Sequence, residues 1–531
     1  MAKVSARGGF HLAWGLAAST VITSIGVIIL ARILSPSDFG LYTIALTVPN
    51  LVQLFRDWGT SFAIVKYGAF YSSKDDQLKV KQIVVSGLVF QVALSVILTV
   101  ASFVLSGFFA ASVFGRPDIV VLIQVISLSL LGGAFISLVQ TKTGTPTSAA
   151  QAAFIGLEKT ELNSLALLTL SVIRTVLTTF LVVFGFGAFG ASAGYSLSLL
   201  FAGVVCLLLF FLIYRDLPKG SWGELRVFEN LKEMIRYGFP LSVVSIVHGF
   251  TLQFYLIILA VFVSDALIGN YSVATNFVVL ITFLAIPIMT MLYPAFSKLD
   301  AKKDRKDLGS VFRFSIKYGA LIVVPVTFLI ISLCEPVVFT VFGSQYSSAP
   351  LFLALLALPY LLSAFGFLSV TNFLNGQGHT ILNLKVILLN SFIGLSLGYL
   401  LISFFEVAGL IFAIFVAEIP GLIIRLYWIW RNYGFTVDWI SSVKILVSSA
   451  VSGGLAFVVV SYLDFASWIN LIFGVIVFVP LWLLVSLLIR VVDRVDIENL
   501  RDMTKSLGPF HKIIVLLLGF YERLMVTLKL D

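Results

Sequence analysis

Long apolar runs, each near the length of a bilayer-spanning helix, alternate with short polar breaks along the chain. A hydrocarbon core takes about 20 apolar residues per helix. The pattern predicts about fourteen such helices. Six lie at about 10–33, 40–62, 83–106, 119–140, 162–185 and 188–213. Six more lie at about 239–263, 269–296, 311–334, 349–374, 381–404 and 407–430. Two follow at about 440–462 and 467–489. Turn-forming residues mark the breaks, as in Ser35-Pro36-Ser37-Asp38 and Gly376-Gln377-Gly378.

The opening of the chain recurs 229 positions later. Gly9-Phe10 falls on Gly238-Phe239, and Ile28-Ile29-Leu30-Ala31 falls on Ile257-Ile258-Leu259-Ala260. Gly40, Tyr42 and Ala45 fall on Gly269, Tyr271 and Ala274. About eleven of thirty-seven positions agree without a gap, against roughly three by chance. Two six-helix halves in the same orientation imply a pseudo-twofold axis along the membrane normal.

Composition agrees with the pattern. Hydrophobic residues make up 59% of the chain and charged residues 11%, where a soluble domain carries about 25% charged residues. The fold class is an all-α polytopic membrane protein. No polar stretch is long enough for a soluble catalytic domain. The net charge of +9 is a topology signal and does not call for nucleic acid. With a cytoplasmic N-terminus, Lys66, Lys74, Lys79, Lys81, Arg215, Lys219 and Arg226 fall inside, as do Lys298, Lys302, Lys303, Arg305 and Lys306. Arg32, Arg116, Asp265 and Asp464 fall outside. The run after Lys3 and Arg7 is too long for a signal segment and reads as a retained first span. The predicted organisation is an N-terminal bundle over 1–214, a cytoplasmic linker over 215–236 and a C-terminal bundle over 237–432. Two additional helices fill 433–490, and an amphipathic cytoplasmic tail fills 491–531.

Ionisable groups inside a membrane are costly and mark candidate sites. Arg174 sits mid-span and pairs either with an anionic substrate or with an acidic residue of the bundle. Asn50, Gln53 and Asp57 have the spacing of one helix face and read as a polar stripe. Asp57 is a candidate ion-coupling group. Arg56 is either a substrate contact or a side chain snorkelling to the interface. At the offset of 229 the stripe meets Val279, Thr282 and Ile286, so its polarity is expected in one half alone. His248 is a proton-coupling candidate or an ordinary bundle histidine. Glu418 and Arg425, seven residues apart, either pair, or Glu418 titrates while Arg425 serves as a cavity cation. Pro49, Pro287, Pro325, Pro359 and Pro420 are candidate hinges. Cys206 and Cys334 sit in apolar runs and suggest no disulfide framework. No metal-spaced cluster, phosphate-cradling loop or cofactor motif is present, so neither a metal nor a cofactor is expected.

Several stretches resemble the polysaccharide flippases of the multidrug/oligosaccharidyl-lipid/polysaccharide exporter superfamily. Leu30-Ala31-Arg32-Ile33-Leu34-Ser35-Pro36-Ser37-Asp38-Phe39-Gly40-Leu41-Tyr42 is similar to their opening motif. Asp57-Trp58-Gly59, Gly156-Leu157-Glu158-Lys159 and Phe342-Gly343-Ser344-Gln345-Tyr346 resemble later ones in the same order. Ile268-Gly269-Asn270-Tyr271-Ser272-Val273-Ala274, then Tyr293-Pro294-Ala295-Phe296-Ser297, match their eighth helix. The resemblance covers about residues 8–430 and leaves out the tail. It implies a non-enzymatic flippase of the cytoplasmic membrane, with both termini cytoplasmic. The implied substrate is a polyprenyl-(pyro)phosphate-linked oligosaccharide moved by alternating access, with membrane lipids and glycan-assembly enzymes as partners. A drug/cation antiporter, a lipid II flippase or a non-transporting partner of glycan enzymes are the alternatives.

Overall fold

The computed structural model describes residues 2–137, 148–215, 217–218, 225–300, 303–463, 465–504, 515–516, 519, 521–523 and 525. Lys219, Lys302 and Asp464 lie outside the described residues, as do the side chains of Lys3, Arg7, Thr282, Ile286 and Pro287.

Apolar composition and capping chemistry together set the helices. In chain order they are α1 (Ala2–Ile33), α2 (Pro36–Gln53), α3 (Thr60–Ser73), α4 (Gln77–Gly107), α5 (Val120–Ser127) and α6 (Ser129–Gly133). Then come α7 (Ala149–Gly156), α8 (Thr160–Leu181), α9 (Gly187–Arg215), α10 (Val227–Phe262) and α11 (Asp265–Lys298). The rest are α12 (Arg305–Ser332), α13 (Cys334–Val341), α14 (Ala349–Leu361), α15 (Phe367–Gly376), α16 (Thr380–Tyr433), α17 (Trp439–Ser461), α18 (Ser467–Leu488) and α19 (Arg494–Thr504). No strand occurs among the described residues. The start of α2 shows the local logic. Ser35 accepts from the Asp38 backbone N–H at 3.1 Å, and Pro36 occupies the first turn, where a missing N–H costs nothing.

The chain is a multi-pass membrane protein. Among the described residues eight helices are long and apolar enough to cross a membrane, or nine if the bent pair Ala349–Phe365 and Phe367–Gly376 forms one span. Two of the eight hold two predicted spans each. Thr160–Arg215 turns at Gly185–Gly187, and α16 turns at Glu406, whose φ is 49°. The second predicted span, 40–62, is not one helix. α2 ends at Gln53 and α3 begins at Thr60, with Trp58 at φ 47° and Gly59 at φ 81° between them. Left-handed backbone cannot continue a right-handed helix.

The described residues form two units. One comprises Met1–Asn276 with Leu395–Leu410, the other Phe277–Gly394 with Ile411–Asp531. In the first unit α1 packs along α8 through small side chains. A Cβ on Gly15 would sit 2.3 Å from Ser164, and one on Gly26 would sit 2.4 Å from Thr175. Thr23 meets Ser171 at 3.2 Å, and Thr175 donates to the Ile22 carbonyl at 3.2 Å. In a bilayer such close backbone approach and interhelical hydrogen bonding hold helices together, since lipid is as apolar as leucine.

The sequence repeat becomes a physical contact in this unit. Gly40 and Gly269, equivalent in the two copies, stand back to back. A Cβ on Gly40 would meet the Asp265 carbonyl oxygen at 1.9 Å, and one on Gly269 would meet that of Pro36 at 2.0 Å. One turn on, Thr43 donates to Ser272 at 3.1 Å across the same offset of 229. Equivalent residues of the two copies thus meet between α2 and the start of α11.

In the second unit Phe296, Phe312, Phe373 and Phe435 form an aromatic core, with Phe312 and Phe373 edge to face at 5.2 Å. α19 docks against α12. Lys317 pairs with the buried Asp496 at 2.5 Å, and the Tyr318 hydroxyl donates to the same carboxylate at 3.2 Å. Tyr521 and Met525 of the tail are buried in the adjoining cluster.

Candidate functional site

Arg174 lies on α8, on the side turned away from the lipid-exposed Val172 and Val176. The close α1–α8 packing beneath it fixes the helix. The Arg174 guanidinium stands 4.7 Å from the centroid of the Tyr195 ring on α9. Its charge also acts on the Tyr42 hydroxyl on α2. The two tyrosine rings meet edge to face at 6.5 Å. A ring face attracts a cation through its quadrupole, most strongly where water is scarce. Among the described residues no carboxylate forms an ion pair with Arg174, so the sequence alternative of a bundle salt bridge is not the arrangement found.

A cavity of about 130 Å³ opens beside this cation, lined by Thr23, Tyr42, Thr43, Arg174, Thr178 and Asn276 among others. None of the described lining residues is acidic. Small-molecule pockets usually enclose about 300–1,000 Å³. The cavity as it stands therefore has room for a small anionic group and none for a sugar chain.

The other sequence candidates fall in different places. Arg56 is 2% exposed. It packs on the bare backbone of Gly133, where a Cβ would come within 2.2 Å of its Nη1. Snorkelling to the interface is therefore excluded for Arg56, because the glycine opens an interior slot for it. Tyr195 interacts electrostatically with Arg56 as it does with Arg174. Asn50 and Gln53 are half-buried and hydrogen-bond to each other at 2.8 Å.

Asp57 does not join Asn50 and Gln53 on one face, because the helix has ended before it. It heads α3 instead. Its Oδ1 accepts from the Ser61 backbone N–H at 2.8 Å, from Thr60 Oγ1 at 3.0 Å and from Gln91 Nε2 at 2.7 Å. Gln91 in turn accepts from the Ala149 N–H at 2.7 Å. Asp57 thereby ties the first turn of α3 to α4, and through Gln91 to α7. His248 is half-buried on α10. In the second unit Glu418 accepts from Asn390 Nδ2 at 2.9 Å. Arg425 is 5% exposed and feels the Glu418 charge without forming an ion pair among the described residues.

Sequence reasoning missed Tyr195, Gln91 and Asn276. Gln91 had a signal, a lone amide in the apolar run 83–106. Tyr195 had none, since tyrosine is ordinary in a membrane helix.

Comparison with known proteins fixes the family. The family model described as "Polysaccharide biosynthesis protein" matches residues 5–300. The chain belongs to that family. It is 25% identical over 340 residues to the succinoglycan biosynthesis transport protein ExoT of Rhizobium meliloti (strain 1021), covering 63% of this chain and 62% of that one. It is 25% identical over 364 residues to the lipopolysaccharide biosynthesis protein WzxC of Escherichia coli (strain K12), covering 66% and 67%. Its fold is that of the lipid II flippase MurJ in an inward closed conformation, with TM-score 0.68, 14% identity, and 90% and 98% coverage. An inward-facing multidrug resistance transporter has the same fold at TM-score 0.60 and 18% identity, with 78% and 94% coverage. This member of the polysaccharide biosynthesis family thus shares an all-helical fold with these solved structures, and its aligned segment spans slightly under two thirds of the succinoglycan relative.

Proposed function

We propose that this protein is a flippase that moves a lipid-linked oligosaccharide across the cytoplasmic membrane by alternating access. Both termini lie in the cytoplasm, the two six-helix halves rock about the pseudo-twofold axis, and no bond is made or broken. The single observation that carries this reading is Arg174, a cation beside a cavity, held by two tyrosines and by no carboxylate among the described residues. Such a cation is free to neutralise a (pyro)phosphate. Two unit charges 4 Å apart attract by about 4 kcal/mol at an effective dielectric of 20. That offsets part of the cost of drawing an anionic head group through hydrocarbon, while the polyprenyl chain stays in lipid. Arg425 serves the second unit in the same way. Glycan-assembly enzymes supply the substrate and consume the product.

A drug/cation antiporter needs an available acid near its substrate. The acceptor oxygen of Asp57 is already filled by three donors, and no described acid lines the cavity. The test is reconstitution into proteoliposomes, with a fluorescent polyprenyl-pyrophosphate oligosaccharide and an organic cation offered separately. Translocation of the lipid-linked sugar alone supports the reading. Uptake of the cation alone overturns it.

A further inference from the structure

Two side chains at the outer end of the first unit, Arg116 and Asp265, lie outside the Arg174 cavity. Arg116, in the loop between α4 and α5, reaches the turn that joins α10 to α11. Its Nε pairs with Asp265 at 2.7 Å. Its Nη2 donates to the Val263 carbonyl at 2.8 Å, and its Nη1 donates to that of Ala260. These carbonyls end α10, where the helix leaves acceptors without internal partners and carries a partial negative charge. Asp265 begins α11, where a partial positive charge favours a carboxylate. One guanidinium thus satisfies carbonyls at the end of one helix and pairs by charge with the start of the next. The pair is largely covered, with side-chain exposures of 18% and 28%.

Arg116 belongs to the first copy of the repeat and Asp265 to the second. Directly beneath them lie the Gly40–Gly269 approach and the Thr43–Ser272 bond, which join the same two copies. The latch has no mirror image. At an offset of 228, one short of the 229 of the opening repeat, Phe114-Gly115-Arg116 matches Phe342-Gly343-Ser344, with Gly115 and Gly343 both at positive φ. The second copy places a serine where the first has the cation.

We infer that Arg116 and Asp265 form the latch that holds the outer side of the transport path closed. This rests on the alternating-access reading and on the topology that puts the α10–α11 turn outside. For the path to open outward, the two copies must part at Gly40–Gly269, and the Arg116 contacts must break first. Arg116 is a positioning residue and touches no substrate in this scheme.

The test measures access rather than transport, so it stands apart from the flippase reading. Thr43→Cys, in full-length protein with Cys206→Ala and Cys334→Ala, is labelled in intact cells with a membrane-impermeant maleimide. Arg116→Ala should raise the labelling rate on the order of tenfold, the shift expected from losing a charge-assisted hydrogen bond. Arg116→Asp alone should do at least as much. Arg116→Asp combined with Asp265→Arg should bring the rate back toward that of the parent. Rescue by the swap excludes a general loss of fold as the cause. Unchanged labelling in Arg116→Ala, or failure of the swap to lower the rate of the single reversal, would overturn the latch. Raised labelling in a protein that flips no lipid-linked sugar would keep the latch and remove the flippase reading.

Discussion

Asp57 separates a structural hub from an ion-coupling group. Asp57→Ala removes the cap acceptor of α3, a loss of about 0.5–2 kcal/mol. It also removes the charged acceptor of Gln91 at 2.7 Å, and hydrogen bonds to charged groups contribute about 1.5–3 kcal/mol. Gln91 keeps Thr60 Oγ1 at 3.0 Å and Ser61 Oγ at 3.1 Å as partners, so it is not orphaned. The expected total is about 2–5 kcal/mol. Asp57→Asn keeps an oxygen in the same place and loses only the charge, so its cost should stay below about 1.5 kcal/mol. Thermal unfolding of detergent-purified protein should show Asp57→Ala several degrees lower, at roughly 2 °C per kcal/mol for a unit of this size. Asp57→Asn should sit close to the parent, and its transport should keep the parent's pH and sodium dependence. Asp57→Asn protein that is stable, inactive and altered in ion dependence would refute the hub and restore Asp57 as a coupling group.

Two further outcomes follow from the second unit. Lys317→Ala removes the close counter-ion of the buried Asp496 and should destabilise the docked tail by about 3 kcal/mol, read as faster protease cleavage within 491–531; Lys317→Ala combined with Asp496→Asn, which removes both charges, should lose less than Lys317→Ala alone. Asp438 caps α17, accepting from the Ser441 hydroxyl at 2.6 Å and its N–H at 3.1 Å, and the hydroxyl bond leads in lowering its pKa. A carboxyl lowered in the folded state stabilises fully above the ordinary value of about 3.9, and that contribution fades as pH falls through the lower folded value. Unfolding followed from pH 6 downward should show this component in the parent and not in Asp438→Asn.

Much of the fold was legible because membrane helices must be long and apolar, and because the chain states its first two helices twice. Gly40, Tyr42 and Gly269 stood in the repeat, and they occupy the contact between its two copies and the cavity wall. Arg174 stood out as a charge in mid-span. The break between Gln53 and Thr60 was hidden, since Leu54 and Phe55 continue the apolar run and Trp58 is not a residue that announces left-handed backbone. The burial of Arg56 depends on Gly133, a residue remote in sequence that leaves room for a guanidinium. The hub at Asp57 depends on Gln91, which only tertiary packing brings near. Local pattern carried the helices, and non-local packing decided which charges are structural and which face the cavity.

The central claim is that a cation beside the cavity carries an anionic lipid-linked head group. The most direct measurement is the initial rate of flipping of a polyprenyl-pyrophosphate oligosaccharide in proteoliposomes holding equal amounts of parent, Arg174→Lys and Arg174→Ala protein. Loss of an attraction of about 4 kcal/mol, partly screened, should slow Arg174→Ala by tenfold or more, to the order of the protein-free background. Arg174→Lys keeps the charge and loses the planar stack on Tyr195, so it should retain an intermediate rate. Flipping by Arg174→Ala at the parent's rate would contradict the account.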